Sequence, residues 1–257
     1  MKEMPLVLVH GFPFDHTMWF STIASLGSKA KVLAPDLPGF GKTPLLSDET
    51  PSMEAYAEFL ARQLDENKFE NAAIAGMSMG GYVALAFAEK YPDRVAGLGL
   101  ISSQAAADSE ETRQARKEMI KNIKAKGTTA VTETIVPKMF SDAAGANPEL
   151  TKYPQQGAEN AGREGLVWAV QAMAARRDRI NVLGELNCPV LIVHGTDDKI
   201  VPIAKVRTMA EVCHKPMFVE IEGAGHATPL EAPDQVANGL GRLVKAGRDF
   251  AGAEQSS

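Results

Sequence analysis

Three residues sit in contexts that suit nucleophilic acyl transfer. Ser78 lies in Gly76-Met77-Ser78-Met79-Gly80-Gly81, between an apolar run that reads as a strand and an Ala-rich stretch that reads as a helix. So tight a strand-to-helix turn forces a serine into strained backbone geometry and holds its hydroxyl clear of the sheet; the flanking residues must be small because a Cβ there would meet neighbouring backbone. Alone, the pattern has a second reading, a glycine-rich turn with a solvent-facing serine. A hydroxyl is a weak nucleophile at neutral pH, so it needs a base, and the base needs an acceptor that fixes its tautomer. Of five histidines, His10 and His194 each precede a glycine at a strand end, and His16 and His214 lie in polar loop sequence. His226 follows the turn Glu222-Gly223-Ala224-Gly225 after the last apolar run, where a side chain can reach over the strand ends to a central serine. The acid is expected in Gly195-Thr196-Asp197-Asp198-Lys199, with Asp197 forming the turn and Asp198 orienting His226. The order Ser78, Asp198, His226 is that of a serine on a strand-helix turn in an open α/β sheet.

A fourth signal is His10-Gly11-Phe12-Pro13. Gly11 lets the loop after the first strand double back, so that the amides of Phe12 and Met79 face one point and form an oxyanion hole. His10 reads as a loop anchor rather than a proton carrier.

These residues require a scaffold, and the hydrophobic pattern supplies one. Apolar runs at Leu6 to Val9, Lys31 to Ala34, Ala72 to Ala75, Val95 to Ile101, Pro189 to His194 and Met217 to Ile221 read as strands, the first of them buried on both faces. Between them Met53 to Leu64 and Tyr82 to Tyr91 read as helices, with Val236 to Val244 as a last one, so the chain alternates strand and helix as a parallel sheet requires. From 103 to 186 the alternation stops. That stretch reads as helices at Glu110 to Lys126, Thr129 to Phe140 and Gly162 to Leu183, too long for an ordinary crossover, and is expected to be a helical cap on a core made of 1–102 and 187–257. Ala251 to Ser257 reads as a frayed tail.

With 257 residues, 45% of them hydrophobic and 23% charged, the chain suits one α/β domain with an insertion, and no apolar run approaches the length of a bilayer crossing. A net charge of -5 with scattered basic residues offers no nucleic-acid footprint, and an anionic membrane would repel it weakly. Cys188 and Cys213 lack metal-ligand spacing and read as reduced thiols in the cytoplasm. The expected partner is a small molecule, and the expected assembly a monomer or homodimer.

His10-Gly11-Phe12-Pro13, Asp36-Leu37-Pro38-Gly39-Phe40-Gly41, the Gly76 to Gly81 turn, His194 to Pro202 and Gly223 to Pro233 together resemble the α/β-hydrolase superfamily, most closely its small carboxylesterases and enol-lactonases. The resemblance implies hydrolysis of an ester or lactone with no cofactor and no metal, supports Ser78, Asp198, His226 and the Phe12 and Met79 amides in their roles, and makes Asp36 a brace for the loop beside the site. Many relatives carry an antiparallel strand pair before the first parallel strand. Only four residues precede Pro5, so a sheet shortened at that edge is expected.

The cap matches no family motif. Phe14, Met139, Phe140, Trp168 and Met173 are candidates to line an apolar pocket above Ser78, although Met and aromatic residues at helical spacing also build a cap's own core. The Arg113 to Lys117 run behind Glu110 and Glu111 reads as a solvated helix face. Arg176, Arg177 and Arg179 read as solvated cap charges, with attraction of a substrate carboxylate as the other reading. The same fold also carries cofactor-free lyases, C–C bond hydrolases, perhydrolases and non-catalytic receptors.

Overall fold

The computed structural model describes residues 3–254. Its sheet has six strands in the order β2-β1-β3-β4-β5-β6: β1 (Pro5–Val9), β2 (Lys31–Leu33), β3 (Ala72–Met77), β4 (Val95–Ile101), β5 (Val190–Gly195) and β6 (Met217–Ile221). All five pairings are parallel, for example Val7 with Ile74 and Ile74 with Leu98. No antiparallel strand occurs among the described residues and β2 forms the edge, as the shortened-edge expectation requires. The chain steps outward from β1 to β2 and then returns past β1 to β3, which makes the carboxyl ends of β1 and β3 a topological switch point, the place where open α/β sheets bind ligands.

The helices are α1 (Phe20–Leu26), α2 (Met53–Glu66), α3 (Met79–Lys90), α4 (Glu110–Lys126), α5 (Thr129–Thr134), α6 (Asp142–Gly145), α7 (Pro148–Ala175), α8 (Ile180–Glu185), α9 (Ile203–Val212), α10 (Thr228–Glu231) and α11 (Pro233–Glu254). In α2 the apolar positions Met53, Tyr56, Ala57, Leu60 and Leu64 are all buried, and Ser52 caps the helix by accepting from the Ala55 amide. Small residues let α11 lie close on the sheet. A side chain at Gly97 would approach Leu243 Cδ1 to 2.9 Å, and Leu240, Leu243 and Val244 of α11 are fully or nearly fully buried. No described helix is long and apolar enough to cross a membrane.

The segment from 103 to 186 contains α4 to α8, with boundaries that differ from the sequence reading. The helix expected from Thr129 to Phe140 ends at Thr134 and tightens into a 3₁₀ turn at Val136–Lys138, where Pro137 has no amide to continue an α-helix. The helix expected to begin at Gly162 begins at Pro148, capped by Asn147; Gly162, at φ 61°, kinks it instead of starting it. It stops at Ala175, and α8 begins only after Asp178 accepts from the Ile180 amide. Ala251 to Glu254 continue α11 and are not frayed, because the helix packs along the sheet; the remainder of the expected tail, 255–257, lies outside the described residues.

The arginines depart further. Arg176 and Arg179 are buried. Arg176 pairs with Asp108 at 2.5 Å and lies 4.2 Å over the Tyr82 ring, and Arg179 bonds Glu54 and Glu89. Arg116, from the run read as solvated, also turns inward to Asp108 at 2.5 Å. Sequence spacing cannot reveal this, since Asp108 and Glu54 come to these arginines from other elements. Burial alone would raise the Asp108 pKa, but Arg116 and Arg176 outweigh it and hold the carboxyl below its usual range.

Candidate active site

Ser78 follows β3 directly and caps α3 with φ 51° and ψ -113°. Such a backbone is rare for a residue with a side chain and persists only where its surroundings fix it. Here they do: the Ser78 amide donates to Ile101 O at 2.9 Å, and its carbonyl accepts from the Gly81 amide at 3.0 Å and from Ser103 Oγ at 2.8 Å. The glycines are needed because a Cβ on Gly76 would overlap the Gly80 carbonyl, and one on Gly80 would overlap that of Val9.

His226 Nε2 accepts from Ser78 Oγ at 2.9 Å, and its Nδ1–H donates to Asp198 Oδ2 at 2.8 Å. The other carboxylate oxygen, Oδ1, accepts from the Ile200 amide at 2.7 Å and the Val201 amide at 2.9 Å. Burial by itself raises the Asp198 pKa; the facing His226 imidazole and its hydrogen bond, with these two amides, outweigh it and hold the carboxyl below the usual aspartate range. Asp198 is therefore an anion that accepts from an imidazole N–H and leaves Nε2 free to take a proton. Asp197 is exposed, and its backbone amide donates to Ala224 O at 2.9 Å, joining the acid loop to the histidine loop.

The loop after β1 lies against the serine. A Cβ on Gly11 would stand 3.3 Å from Ser78 Cβ, so Phe12 follows a residue that lies beside Ser78, while Met79 opens α3. His10 Nε2 accepts from the Leu37 amide at 2.9 Å, which places its proton on Nδ1, toward Gly11 O at 3.0 Å. Burial pushes its pKa down, consistent with a neutral anchor. Asp36 accepts from the His16 amide and Nδ1 and from the Lys42 amide, bracing the adjoining loop. Asp15, His16 and Asp36 bring ligand-type atoms within 4.8 Å of one another, but both carboxylates are already engaged, Asp15 with Thr17 and Asn160.

The five pocket candidates are all buried but fall into two apolar clusters. Phe14, Met139 and Phe140 pack with Met77, Ala227 and Leu230; Trp168 and Met173 pack with Phe12, Met79 and Tyr82. Several supporting residues escaped the sequence reading. Ser102, at φ 46°, bonds Thr228 Oγ1 at 3.0 Å and pins the loop just after His226. His194 is buried with its Nδ1 lacking a hydrogen bond, 3.7 Å from Asp198 Oδ2. No motif or spacing flags Ser102 and Thr228, whose bond joins separate elements, and although His194 opens the His194 to Pro202 motif, nothing in the sequence shows that it faces Asp198.

The chain belongs to the family with the alpha/beta hydrolase fold, whose model matches residues 4–233. It is 34% identical to a thermophilic esterase from Thermogutta terrifontis solved with malate bound, with a TM-score of 0.89 covering 95% of this chain and 90% of that one. It is 26% identical over 254 residues to the pimeloyl-(acyl-carrier protein) methyl ester esterase of Aromatoleum aromaticum, covering 92% of this chain and 96% of that protein. A third relative is the dihydrolipoyllysine-residue acetyltransferase component of the acetoin cleaving system of Pseudomonas putida, 29% identical over 237 residues. That match takes in 90% of this chain but 61% of the relative, so the chain spans about three fifths of that protein's length.

Proposed function

We propose that the chain hydrolyses a small carboxylic ester or lactone through an acyl-enzyme on Ser78. The observation that carries this reading is the unbroken relay from Asp198 through His226 to Ser78 Oγ, with bonds of 2.8 and 2.9 Å, on a strained turn. The likeness to an esterase 34% identical over nearly the whole chain supports it.

The chain is thus an ester-bond hydrolase. Ser78 Oγ attacks the carbonyl carbon as His226 Nε2 takes its proton, and Asp198 stabilises the imidazolium that forms. The oxyanion is received by the amides of Phe12 and Met79, assisted by the N-terminal end of α3. Collapse of the tetrahedral intermediate expels the alcohol, protonated by His226. Water then enters by the same path and releases the acid. With a lactone the leaving alcohol stays tethered to the acyl group. The helical segment 103–186 serves as the cap, and its Met139, Phe140, Trp168 and Met173, with Phe14, are the residues we assign to acyl selection.

A fluorophosphonate probe with a panel of short p-nitrophenyl esters tests this. Wild type is labelled at Ser78, whereas Ser78→Ala is unlabelled and loses on the order of 10⁴ in turnover, folding unchanged. Labelling or turnover retained by Ser78→Ala would overturn the reading.

A further inference from the structure

Outside the relay, the carboxylate of Glu231 gathers donors from two segments far apart in sequence. Its Oε2 accepts from Ser141 Oγ at 2.7 Å and from the Ser141 amide at 3.2 Å, and both its oxygens stand 3.1 Å from the Gly225 amide. Gly225 precedes His226, and the residue on the other side, Ala227, donates its amide to Met139 O at 2.7 Å. The backbone on both sides of His226 is therefore fastened to Met139–Ser141. The fit is close: a Cβ on Gly225 would meet Phe140 C at 2.5 Å and overlap the Ser141 nitrogen. The next residue of that segment, Asp142, accepts from Lys199 Nζ at 2.6 Å, beside Asp198. One stretch of the helical segment thus holds the histidine loop directly and the acid loop at one remove.

A carboxylate suits this junction because it offers acceptors alone. An amide in its place would aim an N–H at one of the donors from Ser141 or Gly225. We propose that Glu231 is a positioning residue: it locks the backbone around His226 to the helical segment between β4 and β5, so that placing the imidazole at Ser78 and seating that segment are one coupled event. The inference rests on the triad reading above. A few tenths of an ångström of drift in His226 would lengthen its bond to Ser78, and loss of alignment at a reacting centre costs far more in rate than in binding.

The test uses Glu231→Gln and Ser141→Ala, alone and together, with kcat and KM on a short p-nitrophenyl ester expressed per active site titrated with fluorophosphonate. Glu231→Gln should lower kcat per site by about 10- to 100-fold with KM within about threefold of wild type. Ser141→Ala should lower it less, about fivefold, because the amide of residue 141 still donates. The double variant should fall short of the product of the two losses, since both break one junction. If Glu231→Gln has wild-type kcat per titrated site and merely fewer sites or a lower Tm, the residue is structural and the proposal fails. Should Glu231→Gln not fold, an unchanged kcat per site in Ser141→Ala overturns it equally. Ser78→Ala and His226→Ala run alongside: activity in those variants sinks the triad reading, whereas their inactivity beside a normal Glu231→Gln sinks this inference alone.

Discussion

Asp198 presents its two oxygens to different kinds of donor, and this decides what its amide would do. Oδ1 is held by the Ile200 and Val201 amides, so in Asp198→Asn the amide oxygen must stay there and the NH₂ group must face His226. That geometry favours the tautomer with the proton on Nε2, which cannot accept from Ser78. We expect a loss on the order of 10³ to 10⁴ in kcat for Asp198→Asn. The neighbouring Asp197 is exposed, its backbone amide donates to Ala224 O and, among the described residues, its carboxylate accepts only from the exposed Thr196 hydroxyl at 3.3 Å, so Asp197→Asn should cost well under tenfold. Steady-state kinetics on the two variants decide between the adjacent carboxylates, and a dead Asp197→Asn beside an active Asp198→Asn would reverse the assignment.

Among the elements, α7 matters most for the loop after β1. It descends on the loop after β1 at Gly157, where a Cβ would overlap Pro13 O and stand 2.9 Å from Phe14 Cα, and it meets the Gly39 loop at Gly165. Both contacts are backbone against backbone, so no rotamer change relieves them. Gly157→Ala gains about 1 kcal/mol in helix propensity and loses about 1–3 kcal/mol to overpacking. It also displaces the segment carrying Phe12. The expected result is a fall in kcat out of proportion to the change in urea midpoint. Gly145→Ala, in α6, is the control: its added Cβ would lie 3.7 Å from Phe140, an ordinary contact, and should be tolerated within about 0.5 kcal/mol.

Taken as a whole, the molecule buries two histidines in neutral form. Burial lowers the pKa of His10 and of His194, the latter against the pull of Asp198. On acidification the unfolded chain takes up these protons first. Their contribution to stability is therefore present above the unfolded value of about 6.5 and is lost as the pH falls from there through the folded values. Asp36, Asp108 and Asp198 have depressed folded values; burial opposes each shift, and the facing His16, arginines and His226 prevail. Their stabilisation persists above the unfolded aspartate value of about 3.9 and is lost below it. Urea unfolding from pH 8 to about 3 should show stability declining in two stages, the first beginning below about pH 6.5 and the second below about pH 4. A flat or rising curve between pH 7 and 5 would contradict the neutral burial of both histidines. Cys213, whose thiol burial pushes up to about 11, contributes nothing across that range.

The strands, the turn at Ser78 and the order of serine, acid and histidine along the chain are legible in the sequence because each is a local property. A short run of apolar residues ended by glycine or proline reads as a strand, and only glycine fits beside a turn as tight as Gly76 to Gly80. Helix limits in 103–186 were less legible, since Gly162 can begin a helix or kink one and only packing of α7 on the loop after β1 decides. The fates of Arg116, Arg176 and Arg179 were not legible at all. Charge on a helix face reads as solvated until a distant Asp108 or Glu54 arrives to pair with it. The same holds for the bonds of Glu231 to Ser141 and of Ser102 to Thr228, ordinary polar residues whose partners stand far away in the chain. Sequence thus determined which side chains are available for the chemistry and on which strand ends they sit. The separations of 2.8 and 2.9 Å that join them were decided by tertiary structure alone, because they depend on how three loops from β3, β5 and β6 are fastened to one another.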